Sequence, residues 1–212
     1  MKITLSPYQD EWNTVFDQLC QQLEPILAPL SPNIAHIGST SVIGLAAKPI
    51  IDILIGVQQP EDLDKCVEPM LRHGFIYYEK YNAIMPYRRF FVALKPELSL
   101  SFSLPKVFRE YDVVPPNLSQ YVLSNIHIIP KDTYHWKRHI AFRDYVRQHP
   151  NVRQQYQDLK QLLCEREWEN MMEYNKAKES FILDVQEQAM TWYEAKITTN
   201  QKNIGYFSPL EK

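Results

Sequence analysis

One carboxylate stands alone in the most apolar stretch of this chain. From Pro49 to Val57 the run Pro-Ile-Ile-Asp-Ile-Leu-Ile-Gly-Val carries a single charge, Asp52. A carboxylate in such a setting needs a partner: a divalent cation is one, and Lys48 or an arginine is another. Upstream lies His36-Ile-Gly-Ser-Thr-Ser41. Small residues opening a helical turn present free backbone N–H groups that suit a phosphate, and Gly38 lets a ligand approach the main chain closely. The same residues also read as a simple helix cap beside an internal ion pair, and spacing alone leaves both readings open.

Other polar groups qualify by type. Arg88-Arg89, just before an expected strand, can grip phosphates bidentately or lie paired on the surface. His127 on an apolar strand can serve as ligand or base, or sit hydrogen-bonded in the core. Lys48 can reach a phosphate or point to solvent. His135 and His139 at i, i+4 share a helix face, but no third metal ligand is evident, so packing is the expected role. Arg143, Asp144 and Arg147 read as a helix-surface network able to close over the site.

These groups need elements to hold them. Tyr8, Trp12, Phe16, Leu19, Leu23, Leu27 and Leu30 recur at helical spacing, a stripe stopped by Ser31-Pro32. Asn33 to Ile37 reads as a short strand and Ile50 to Val57 as a buried one. Glu61 to His73 reads as a helix closed at Gly74. Phe75 to Tyr78, Arg89 to Leu94 and Ile126 to Ile129 complete the expected strands. The proline-bearing stretch 95–123 lacks a sustained period and reads as a long excursion, with one strand near Leu98 to Leu104. From Asp132 onward three helices are expected, the first closed before Pro150, followed by a tail beyond Lys196.

Composition limits the function classes. The 212 residues have 45% hydrophobic and 23% charged side chains, ordinary globular values, and only 5 glycines against 15 prolines. A net charge of −2 gives no global attraction to nucleic acid or an anionic membrane. Six Lys/Arg against two Asp in 131–153 and seven acids against three bases in 165–187 read as two helix faces that pair with each other, or as a basic rim for a phosphorylated ligand. Cys20, Cys66 and Cys164 lack metal-ligand spacing. With no signal-peptide pattern and no apolar run near the ~20 residues that span a bilayer, a soluble cytoplasmic protein without membrane partners is expected.

The blocks His36-Ile-Gly-Ser-Thr-Ser and Gly44-Leu-Ala-Ala-Lys-Pro-Ile-Ile-Asp-Ile make the sequence resemble the GrpB family, within the nucleotidyltransferase superfamily. Tyr8-Gln-Asp-Glu-Trp12, Pro86-Tyr-Arg-Arg-Phe-Phe91, Ile126-His-Ile and His139-Ile-Ala-Phe-Arg-Asp-Tyr add to the resemblance, as do Tyr156, Lys160 and Lys178. It implies an α+β fold, a small mixed β-sheet flanked by helices with a C-terminal helical segment. The expected boundaries are a core at 1–130, with an insertion at about 95–123 that departs from the family, a helical segment at 131–195 packed on it, and a flexible tail at 196–212 read from composition. It also implies metal-dependent transfer of a nucleotidyl group from a nucleoside triphosphate, ATP with Mg2+, to an unknown small-molecule or protein acceptor; nucleic acid is not the expected partner. On that reading Gly38, Ser39, Thr40, Lys48, Arg88 and Arg89 hold phosphates, Asp52 holds metal, and Asp52 and His127 are catalytic. The chain departs from the pattern where a second carboxylate belongs, at Leu54, and where a third would be sought, at Asn125-Ile-His127. One carboxylate is a poor cage for two hard cations, so the alternative is a nucleotide- or partner-binding module with a degenerate site.

Overall fold

The apolar stripe folds as α1 (Glu11–Leu27), whose buried residues Trp12, Leu19, Leu23 and Leu27 face the sheet. A 3-10 turn, Ala28–Leu30, follows, and the chain reverses at Ser31 with φ 47°. The computed structural model describes residues 2–96, 104–115 and 117–204.

Five strands form one mixed sheet: β1 (Asn33–Ile37), β2 (Ile51–Val57), β3 (Ile76–Tyr77), β4 (Arg89–Leu94) and β5 (Val122–Pro130). Their order is β1-β2-β5-β4-β3, with β2 and β5 parallel and the other neighbours antiparallel. Alternation along the strands divides the side chains. Ile51, Ile53, Ile55, Phe91, Ile126 and Ile128 pack under α1. Asp52 and Leu54 of β2, with Asn125 and His127 of β5, occupy the opposite face.

The helix expected over 61–73 is two pieces, α2 (Asp62–Lys65) and α3 (Val67–Arg72), meeting at the buried Cys66. The expected strand at Ile126–Ile129 is longer, because Val122 to Ser124 also find partners on β4. The expected strand near Leu98–Leu104 lies outside the described residues, apart from Leu104, which is in neither helix nor strand.

The C-terminal segment is four helices rather than three: α4 (Tyr134–Gln148), α5 (Pro150–Cys164), α6 (Met171–Ala177) and α7 (Glu179–Ile204). Thr133 caps α4 by accepting from the Trp136 amide, and Asn170 caps α6 through the amides of Met172 and Glu173. Lys178 sits at the joint between α6 and α7. Helix α4 lies across the second sheet face, where Trp136 packs with Ile37, Leu54 and Ile129. Gly56 permits that approach, since a Cβ there would come within 2.9 Å of the Trp136 ring. Helix α7 continues past Lys196 to Ile204.

Candidate functional site

Strand β1 ends where Ile37 pairs with Asp52, so the turn that follows is built directly over that carboxylate. Gly38 there has φ 70°, and a Cβ would overlap Asp52 Oδ2, so only glycine closes the turn without strain. In parallel register Asn125 lies beside Asp52, and its Nδ2 donates to Oδ1 at 2.9 Å. Burial pushes the Asp52 carboxyl above its usual range, opposed by the Asn125 bond and by the positive charges of Lys48 and Lys178.

Three ammonium groups surround this turn. Lys160 lies on the buried face of α5, four residues after Tyr156, and is only 2% exposed. Its Nζ donates to Ser39 Oγ at 3.2 Å and to the Ala46 carbonyl. Burial and the charge of Lys178 bring Lys160 down to about 7. Burial and Lys48 bring Lys178 down to about 8, with Asp52 acting the other way. Lys178 and Lys48 lie 4.3 and 5.4 Å from the Tyr174 ring centroid, and Lys48 Nζ meets Met171 Sδ at 3.0 Å. Burial also lowers Lys48. With Lys48 and Lys178 acting on Asp52 and Lys160 bonded to Ser39, three amines meet one carboxylate, and their protonated forms leave a positive excess beside the small-residue turn, an arrangement suited to an oxyanion.

Helix α4 fixes the turn from behind. Arg143 donates to the His36 carbonyl at 3.1 Å, and Arg147 donates twice to the Ser41 carbonyl, at 2.9 and 2.6 Å. Both guanidinium groups lean on Asp144. The surface network expected of Arg143, Asp144 and Arg147 is therefore a clamp on main-chain oxygens flanking Gly38. Thr40 faces inward, bonded to His36 Nε2 at 3.0 Å and to the Ile50 carbonyl at 3.4 Å. His36 faces α1, stacked on Phe16, and burial with the nearby Arg147 and Arg143 lowers it to about 4.

The remaining expected residues divide. His127 shares the face of Asp52 but pairs across with Leu54. Two residues of rise separate it from Asn125 along β5, roughly 6.6 Å. Arg88 Nη1 lies 3.1 Å from His127 Nδ1, and the rings of His127 and His139 are 6.0 Å apart. Arg89 points to the opposite side and is committed to Asp64, 2.7 Å from Nη2 and 2.8 Å from Nε. Gly38, Ser39, Lys48 and Asp52 are thus brought together; Arg88 and His127 form a neighbouring group; Arg89 joins neither. Leu54, where the resemblance implies a second carboxylate, is fully buried among Ile37, Ile129 and Trp136 and belongs to the core.

Among the described residues no three His, Cys, Asp or Glu side chains are arranged to hold a metal. Asp52 is a single carboxylate, already accepting from Asn125, and does not by itself make a two-ion cage. The positions that sequence reasoning left out of the site are Lys160 and Lys178. The signal was present for the first: a lysine four after Tyr156 and three before Leu163 falls on the apolar stripe of α5. A groove of about 440 Å³ between α1 and the His73–Phe75 turn is lined, among the described residues, by Gln22, Pro25, Ile26, His73 and Phe75, none of which belongs to these groups.

Comparison with known proteins agrees with the fold. The profile described as GrpB protein matches residues 2–188. The UPF0157 protein YqkA of Bacillus subtilis (strain 168) is 28% identical over 207 residues, covering 98% of this chain and 53% of that protein. This chain thus spans about half the length of that relative. The Glutamate-rich protein GrpB of Alkalihalophilus pseudofirmus is 26% identical over 184 residues, covering 87% of this chain and 94% of that protein. The crystal structure of conserved protein GrpB from Enterococcus faecalis superposes with a TM-score of 0.70 at 28% identity, covering 90% of this chain and 99% of that one.

Proposed function

This chain belongs to the GrpB family, and from that premise we propose that it binds the phosphate chain of a nucleoside triphosphate, ATP being the expected ligand, at the Gly38–Ser39 turn. The observation that carries the reading is the convergence of Lys48, Lys160 and Lys178 on a turn that Gly38 alone can close over Asp52. Phosphate oxygens would accept from the turn's free amides, the Ser39 hydroxyl and the three ammonium groups. Asp52 would hold one Mg2+ shared with the phosphates, and that ion, when bound, offsets phosphate charge. Arg143 and Arg147 would keep the turn in place by holding the carbonyls of His36 and Ser41.

A second reading is nucleotidyl transfer to a small-molecule or protein acceptor. It draws on the placement of Asp52 beneath the turn, where a metal-binding carboxylate is expected in the superfamily. Leu54 weighs against it, because its side chain belongs to the core and supplies no second ligand. Binding without transfer is therefore the conclusion.

Calorimetry with ATP and GTP, with and without Mg2+, tests it on wild type, Lys160→Met and Asp52→Asn. Loss of one charge-assisted bond predicts at least about tenfold weaker binding in Lys160→Met. Asp52→Asn should bind nucleotide with no enhancement by Mg2+. No binding by wild type, or equal binding by Lys160→Met, overturns the proposal. Steady pyrophosphate release from a screen of acceptors would establish transfer instead.

A further inference from the structure

Beyond the lysine-ringed turn, the same sheet face carries a second set of cations that the proposed phosphate site leaves unused. Arg88, from the turn before β4, reaches His127 on β5 at 3.1 Å. A guanidinium can only donate, so His127 Nδ1 accepts and its proton sits on Nε2. Helix α4 lowers Arg138, His139 and His135 onto this pair, with the His127 and His139 rings 6.0 Å apart. His135 is stacked on Tyr87.

Three features of this cluster point to a ligand. Arg88 Nε, Arg138 Nε, His135 Nδ1 and His139 Nε2 are buried and have no hydrogen-bond partner. Such groups ordinarily find one, because an unmet donor or acceptor in the interior costs about 1–3 kcal/mol. The charges acting on His127 are Arg88, His139 and Arg138, and those acting on His139 are Arg138, Arg88 and His135; no carboxylate is among them. The Arg138 bond that is formed, from Nη1 to Gln186 Oε1 at 3.1 Å, is to a neutral acceptor. Finally, Arg88, His127, Arg138 and His139 each keep part of their surface exposed, although the unpartnered nitrogens themselves are buried.

A metal is the wrong occupant for two guanidinium groups. We propose that Arg88, Arg138, His127 and His139 form a second oxyanion site, separate from the Gly38–Ser39 turn, that takes the carboxylate or phosphate of a small molecule. The guanidinium groups offer forked donors and His127 Nε2 a further one, and an oxygen set among them would give Arg88 Nε and Arg138 Nε the acceptors they lack. In keeping with this, burial and the two arginines hold the His139 imidazole down to about 3, a cost that a bound anion would relieve. The site lies two residues along β5 from Asn125, close enough for one ligand with two anionic ends, or for two molecules side by side.

The test observes the imidazoles directly, by long-range proton–nitrogen correlation spectra of the full chain carrying 15N-histidine, titrated with inorganic phosphate or with succinate. The expected result is a saturable shift of the His127 and His139 resonances, retained in Lys160→Met and weakened at least about tenfold in Arg138→Gln. Saturation by phosphate alone identifies a phosphate site, and saturation by succinate alone a carboxylate site. His139→Gln, read at His127, supplies the same comparison should Arg138→Gln not fold. The proposal is overturned by absence of saturation with either ion, by equal affinity in both cluster variants, or by loss of the shift in Lys160→Met, which would make the two clusters one site.

Discussion

A polyanion arriving at the Gly38–Ser39 turn must change the charge of the lysines that receive it. Lys160 is held down to about 7 and Lys178 to about 8, both chiefly by burial. At pH 8 the first is about one-tenth protonated and the second about half. A bound triphosphate favours both ammonium forms, so full recovery draws about 1.4 protons from solution at pH 8. At pH 6 both are already charged, and the uptake falls to about 0.1 proton. The measurement is calorimetric titration with inorganic tripolyphosphate in buffers of differing ionisation enthalpy, because the slope of observed heat against that enthalpy counts protons. Lys160→Met removes the larger of these two responses, so uptake at pH 8 should fall by about 0.9 proton. Binding with no proton uptake at pH 8, or uptake unchanged by Lys160→Met, refutes the idea that these lysines meet the anion.

Other consequences follow from the same geometry. Gly38→Ala forces a side chain into a left-handed turn and against Asp52, and should cost about 2 kcal/mol or more, a fall in Tm of at least about 4 °C by calorimetry. Leu54→Asp restores a second carboxylate in sequence but buries it among Ile37, Ile129 and Trp136; we expect a loss of about 4 kcal/mol in urea unfolding and no gain of Mg2+-dependent pyrophosphate release. His36, lowered to about 4 and only 6% exposed, favours the folded state as a neutral imidazole. Its contribution is therefore complete above about 6.5 and is lost as pH falls toward 4, up to about 3 kcal/mol, and His36→Gln should flatten that part of the stability profile.

Much of the scaffold was readable from periodicity. The strands at Asn33, Ile51 and Arg89 and the helix α1 follow from apolar spacing, which reports burial directly. Two boundaries were misjudged for local reasons. At Cys66 the cause is Pro69, which has no amide to donate to the Lys65 carbonyl, whereas Lys178 interrupts its helix without proline or glycine, so nothing in the spacing marks that break. Val122 to Ser124 extend β5 because β4 offers hydrogen bonds there, a pairing that a single strand's sequence does not contain. At the site, Gly38, Ser39 and Asp52 were legible because a lone charge and a lone flexible turn are anomalies in their surroundings. Arg88 and Arg89 look equivalent in sequence, yet strand alternation sends them to opposite faces, one to His127 and the other to Asp64.

By itself, the sequence determined that a lone carboxylate would lie on a buried strand following a glycine-opened turn, and that an apolar residue, Leu54, stands two places further on the same face. Those are properties of neighbours along the chain, where side-chain type and a period of two suffice. Only the tertiary structure decided what faces that carboxylate. Lys160 and Lys178 come from helices more than a hundred residues later, and their amines matter because folding removes them from water and sets them around Ser39 and Asp52. Desolvation and mutual repulsion at short range make three ordinary lysines into an anion site, and neither effect exists until the helices are packed.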